Sequence, residues 1–136
     1  MKLECQHVGL CGGCPLGQRD FAPEEKAAHV REFFPKARIR YAPLGRVRDR
    51  ADLIWERVDG EMRLGLFGLT GRETVNLSAC PMMSESLEAW FNEFRLRAPP
   101  IQKGSVRLRV SPSGERGVWL DFANQDVKTL FDEKSY

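Results

Sequence analysis

Between Ser105 and Ser111 the chain reads Ser-Val-Arg-Leu-Arg-Val-Ser. This two-residue alternation sends Val106, Leu108 and Val110 to one side of a strand and Arg107 and Arg109 to the other. After a turn at Pro112-Ser113-Gly114, residues 116–122 predict a returning strand, with Val118, Leu120 and Phe122 inward and Trp119 and Asp121 on the arginine side. Upstream, apolar runs over 51–58 and 62–67 flank Asp59-Gly60, a dipeptide suited to a tight hairpin turn. Residues 73–77 predict another strand, and Arg38-Ile-Arg-Tyr41 a short half-buried one with its arginines outward. Helical spacing links Ala27, Val30, Phe33 and Phe34 in a segment 23–34, whose first turn holds Pro23, Glu24 and Glu25, with Asp20 ahead as a cap. It also links Leu87, Trp90, Phe91 and Phe94 in a segment 85–97 capped by Ser84. A short third helix is predicted over 126–133, with Val127, Leu130 and Phe131 docking on the sheet. Trp119 is expected to pack beneath it; the alternative is a base stacked on Trp119 among the arginines. The fold class is α+β: a mostly antiparallel sheet with three helices and an N-terminal cysteine-rich loop.

A length of 136 residues suits one domain spanning 1–136, and the 42% hydrophobic and 29% charged content is that of an ordinary globular protein. No apolar run approaches the roughly 18 residues of a membrane helix, so no membrane partner is expected. No secretory segment opens the chain, which points to a reducing cytoplasm.

The net charge of +2 hides a segregation. Lys36, Arg38, Arg40, Arg46, Arg48 and Arg50 stand against Asp49 alone, and Arg95, Arg97, Lys103, Arg107, Arg109 and Arg116 against Glu115 alone. Arginine suits bidentate phosphate contacts and stacking on bases. Two such stretches resemble a polyanion footprint. The bland alternative is the wet face of a sheet.

The strongest chemical pattern is Cys5-x5-Cys11-Gly-Gly-Cys14, answered by Cys80-Pro81; these four are the only cysteines. Two thiolates separated by two residues can address one centre across a tight turn, and Gly12 and Gly13 are expected to supply positive φ there. Exposed amides of such a loop can hydrogen-bond to sulfur. Structural zinc draws its ligands as two close pairs, whereas this set is three plus one, which suits a [4Fe–4S] cluster better and leaves zinc as the alternative. His7, inside the loop, is the other residue able to ligate zinc; His29 is expected on the surface. Disulfides fit neither the C-x2-C spacing nor the compartment.

The C-x5-C-G-G-C-P-L-G-Q run with a remote Cys-Pro resembles the iron–sulfur-containing RNA uracil-5 (m5U) methyltransferases of ribosomal and transfer RNA. Gly45-Arg-Val-Arg-Asp-Arg-Ala-Asp-Leu53 is similar to that family's basic Y-R-N-R-A strand, and the match runs from about residue 4 to about 122. The resemblance implies Cys5, Cys11, Cys14 and Cys80 as cluster ligands and structured RNA, ribosomal or transfer, as partner. With the basic stretches as its footprint, the RNA contacts are expected at Arg38, Arg40, Arg46, Arg48, Arg50, Arg107 and Arg109. The resemblance also implies a catalytic S-adenosylmethionine domain, for which this chain has neither a glycine-rich cofactor loop nor a fifth, nucleophilic cysteine. The expectation is a domain that binds RNA without catalysing methylation by itself, its methyltransferase partner lying elsewhere. Two other classes remain open: an electron-transfer or redox-sensing iron–sulfur protein, and a zinc-stabilised adaptor.

Overall fold

The computed structural model describes residues 4–14, 22–42, 44–71, 73–97 and 102–121. Within them lie helix α1 (Pro23–Phe33), strands β1 (Arg50–Val58), β2 (Glu61–Phe67) and β3 (Thr74–Asn76), helix α2 (Glu85–Leu96), and strands β4 (Lys103–Val110) and β5 (Arg116–Asp121). The strands form one antiparallel sheet in the order β3-β2-β1-β4-β5. The α+β class is as expected from the patterning. The third helix, over 126–133, lies outside the described residues, as does Phe122.

The β1–β2 hairpin closes at Asp59 (φ 51°) and Gly60 (φ 81°), the two positive angles that match the natural twist of paired strands. Its register sets Val58 opposite Glu61 and Trp55 opposite Leu64. Because side chains alternate across a strand, this pairing places Leu53, Trp55 and Leu64 on the face that α2 covers. Leu87, Phe91 and Phe94 of α2 meet them there with Val106, Leu108 and Val110 of β4. The Trp55 and Phe94 rings meet edge-on at 5.9 Å. Ser84 caps α2 by accepting the Leu87 N–H at 3.2 Å. Among the described residues no helix is long and apolar enough to cross a membrane.

Two expectations fail here, and a third falls outside the described residues. Arg38–Tyr41 is not a strand: residues 37–42 pair with none, and Tyr41 instead donates its hydroxyl to Glu24 of α1 at 2.6 Å. A strand needs a neighbouring strand for its backbone groups; this segment has none beside it, and its tie to α1 is made by the Tyr41 side chain. The apolar stripe of α1 is not core either. Ala27 is buried, while Val30, Phe33 and Phe34 are exposed, the two phenylalanines at 73% and 67%. Helical periodicity identified the stripe correctly but could not say whether the sheet would reach it. Finally, Ala22, which makes no side-chain cap bond, holds the N-cap of α1, and Asp20 lies outside the described residues.

Candidate functional site

The N-terminal loop is attached to the sheet at the end of β2. Cys11 forms an antiparallel bridge with Gly68, Gly12 donates to the Phe67 carbonyl at 2.9 Å, and Leu69 donates to Leu10 at 3.0 Å. The glycines permit this approach by lacking side chains, not by positive φ as expected. A Cβ on Gly12 would lie 2.9 Å from the Gly68 carbonyl oxygen, and one on Gly13 would lie 2.2 Å from a Leu66 methyl. Neither residue has a positive φ; in this loop that conformation falls to Gly9, at 83°.

Docked in this way, the loop sets Cys5, Cys11 and Cys14 around one pocket whose remaining wall includes Cys80, Leu66 and Leu77. All four thiols are half-buried and free. Amide groups address the sulfurs in a repeated i+2 pattern. His7 N–H donates to Cys5 Sγ at 3.4 Å, and Gly13 N–H to Cys11 Sγ at 3.4 Å. The amides of Met82 and Met83 face Cys80. Burial pushes the Cys80 thiol above its ordinary value, with nearby Cys5 adding to the rise and those amides and Arg48 opposing it. Among the described residues no three His, Cys, Asp or Glu side chains converge closely enough to hold a single metal ion.

His7 also lines this pocket, but its Nε2 is engaged by Ser78. Its Nε2 accepts the backbone N–H of Ser78 at 3.1 Å and lies 3.1 Å from the Ser78 hydroxyl. The histidine thus ties the loop to the segment that delivers Cys80. His29 is on the surface as expected, facing Glu32 at 3.7 Å.

The structure separates the arginines. Arg38 and Arg40 are exposed on the segment after α1, outside the sheet. Arg46 pairs with Glu88 of α2. Arg48 accompanies Met83 in a parallel bridge and lines the cysteine pocket. Arg50 and Arg107 both bind Asp52, Arg50 at 2.8 Å. Burial raises the Asp52 carboxyl, but the hydrogen bonds from Arg107 and Arg50 outweigh it and hold the group below its usual value. Arg109 is exposed, and neither it nor Arg48 has an acidic partner among the described residues. Arg50, Arg107 and Arg109 are therefore the group joined by the sheet, Arg48 adjoins Arg50 across one cavity, and Arg38, Arg40 and Arg46 lie outside the sheet.

No family model matches the chain. An uncharacterized RNA methyltransferase of Bdellovibrio bacteriovorus is 39% identical over 145 residues, which takes in 98% of this chain and 36% of the relative. The chain's relatives are RNA methyltransferases. The 23S rRNA (uracil(1939)-C(5))-methyltransferase RlmD of Shewanella denitrificans is 29% identical over 68% of the chain and 23% of the relative. Its namesake from Vibrio cholerae is 24% identical over 93% of the chain. The chain spans about a third or less of the length of these relatives. The Bdellovibrio match covers cysteine pocket and sheet together.

Sequence reasoning missed Arg95. It was counted only among the cations of the second basic stretch, yet its guanidinium reaches across to donate to the carbonyls of Leu77 and Leu64 and to Asn76 Oδ1, the last at 2.7 Å. Burial lowers its pKa without discharging it. The residue serves the site indirectly, because Leu77 and Asn76 lead into Cys80. Only the fold brings those carbonyls within its reach, so no local pattern announced it.

Proposed function

We propose that this chain is the cluster-bearing, RNA-binding part of an RNA uracil-5 methyltransferase. Cys5, Cys11, Cys14 and Cys80 would hold a [4Fe–4S] cluster, whose chemical contribution is to cross-link the N-terminal loop to the segment after β3. The observation that carries this reading is the single pocket lined by all four thiols, with amide hydrogens directed at sulfur. Amide-to-sulfur bonds stabilise thiolate charge, as a cluster ligand requires. Structural zinc takes its ligands in close pairs, so the three-plus-one set of thiols favours the polynuclear group. Arg48 carries positive charge from this pocket toward Arg50 and the open face of the sheet, where Arg107 and Arg109 lie. That path suits the phosphates of a folded RNA. Methyl transfer from S-adenosylmethionine to uracil belongs to sequence outside this chain, in keeping with the greater length of the relatives.

The test is anaerobic purification followed by iron, sulfide and zinc analysis and RNA titration at several salt concentrations. Near-stoichiometric iron and sulfide, a broad band near about 400 nm, and affinity that falls with salt are expected. One zinc in a colourless protein would replace the cluster by the zinc alternative. Reversible reduction of the cluster without RNA affinity would favour the electron-transfer class. Absence of RNA affinity with any metal would remove the RNA reading.

A further inference from the structure

The face of the sheet opposite α2 carries a small aromatic and cationic grid. Trp119 of β5 lies directly opposite Arg107 of β4, which lies opposite Asp52 of β1; the next row is Gly117, Arg109 and Arg50. Trp119 was expected to be packed away, and it is instead 53% exposed. The exposed indole presents a large aromatic surface with a polar edge on this face.

Its placement is built. The indole leans back along its own strand over Gly117, so closely that a Cβ there would lie 2.9 Å from ring atom Cζ3 and 3.0 Å from Cη2. Any other residue at 117 would lift the ring from the sheet. On the reverse side, Trp90 of α2 donates its Nε1–H to the Gly117 carbonyl at 3.2 Å, and Arg116 stacks on Trp90 while pairing with Glu93. Strand β5 is thus fastened to the core helix behind the indole. Beside the ring runs a groove lined by Arg107, Asp52, Ile54, Ser105 and Asp121.

From this arrangement we infer that the open face of β4 and β5 is a nucleotide-binding platform on which Trp119 stacks a splayed RNA base and Arg109 contacts the adjoining phosphate. The inference deepens the RNA-binding reading and rests on it. The chemistry is specific in its division of labour. A fixed, half-exposed indole offers a π-face to any unpaired base. Arg109, in the neighbouring row and without an acidic partner among the described residues, is the cation available for phosphate. Arg107 is engaged by Asp52, so it flanks the base rather than supplying the first phosphate contact. The carboxylate of Asp121 lines the groove where amino or imino hydrogens of a base edge would lie, whereas that of Asp52 is engaged by Arg50 and Arg107.

The experiment titrates the full chain, purified anaerobically, with a single-stranded hexauridylate RNA while tryptophan emission is followed. Trp55 is fully buried and Trp90 sits on the α2 side, so quenching reports mainly on Trp119. Trp119→Leu should weaken binding between about fivefold and about 150-fold, the loss of one base–aromatic stack, and Trp119→Phe should restore most of it. Gly117→Val should reproduce the defect with the tryptophan intact, and Arg109→Gln should weaken binding and lower its salt dependence. If Trp119→Leu binds like the parent while Arg48→Glu and salt still weaken the complex, the platform is overturned and the RNA reading stands. Binding of a structured RNA but not of the hexamer would overturn the platform in the same way. If neither RNA binds the parent chain, both fall.

Discussion

His7 Nε2 accepts the backbone N–H of Ser78 at 3.1 Å, joining the N-terminal loop to the segment two residues ahead of Cys80. A histidine so engaged is a structural clasp. His7→Ala is expected to destabilise the metal-free chain by about 1 kcal/mol, the ordinary net worth of one such bond, while metal stoichiometry stays at the parental value. Urea unfolding and metal analysis check the two halves. Loss of metal without loss of stability would instead make His7 a ligand.

Arg95 holds a larger share of the same region. Removing it as Arg95→Ala leaves the carbonyls of Leu77 and Leu64 without their shared donor. The expected cost is about 2–3 kcal/mol, as for hydrogen bonds from a charged group. Arg95→Lys should recover only part of it, since an ammonium cannot span three acceptors held for a planar fork. Full recovery by lysine in an unfolding titration would show that charge alone suffices.

Asp52 restrains two arginines of the sheet's open face. Asp52→Asn should therefore tighten RNA binding and steepen its salt dependence, because Arg50 and Arg107 become available to phosphate. The stability change should be under about 1 kcal/mol, since the pairs are exposed. The lowered Asp52 pKa fixes the sign with acid: the carboxylate's contribution is present above the unfolded value and is lost as pH falls through the folded one. Weaker binding by Asp52→Asn would mean that the pairs organise the surface.

Cys80 gives the opposite pH dependence. Its raised pKa means that the folded, metal-free chain prefers the thiol. That contribution is complete below the unfolded thiol value of about 8.5 and is lost as pH rises through the folded value. Alkylation at neutral pH should consequently be slow at Cys80, and metal uptake should strengthen with pH because the proton must leave. Peptide mapping after brief iodoacetamide treatment measures the first. Rapid alkylation of Cys80 near pH 7 would overturn the assignment.

Wherever a residue's role was set by its immediate neighbours, the sequence was legible. Asp59-Gly60 specified its hairpin, Ser84 its cap, and the alternation around Arg107 its two faces. What stayed hidden was set by approach between distant segments. Gly12 and Gly13 looked like turn residues, yet they are small because β2 passes close by. Phe33 and Phe34 had the spacing of core residues, but the sheet is covered by α2 instead. The cysteine pattern was visible in full; that its four members line one pocket depends on contacts spanning most of the chain.

The β1–β2 hairpin and the cysteine pocket sit at opposite ends of a ladder of chain separations. Strands joined by a two-residue turn find each other at little entropic cost. Setting Cys14 beside Cys80 encloses 66 residue steps, at an entropic cost of about 4 kcal/mol. The hairpin can thus form early, whereas the pocket shares the long closures of the β1–β4 pairing, which sets Glu56 opposite Lys103; on the proposed cluster reading, metal would arrive after both. Iron supply would then govern how long the N-terminal loop stays closed more than how fast the sheet assembles.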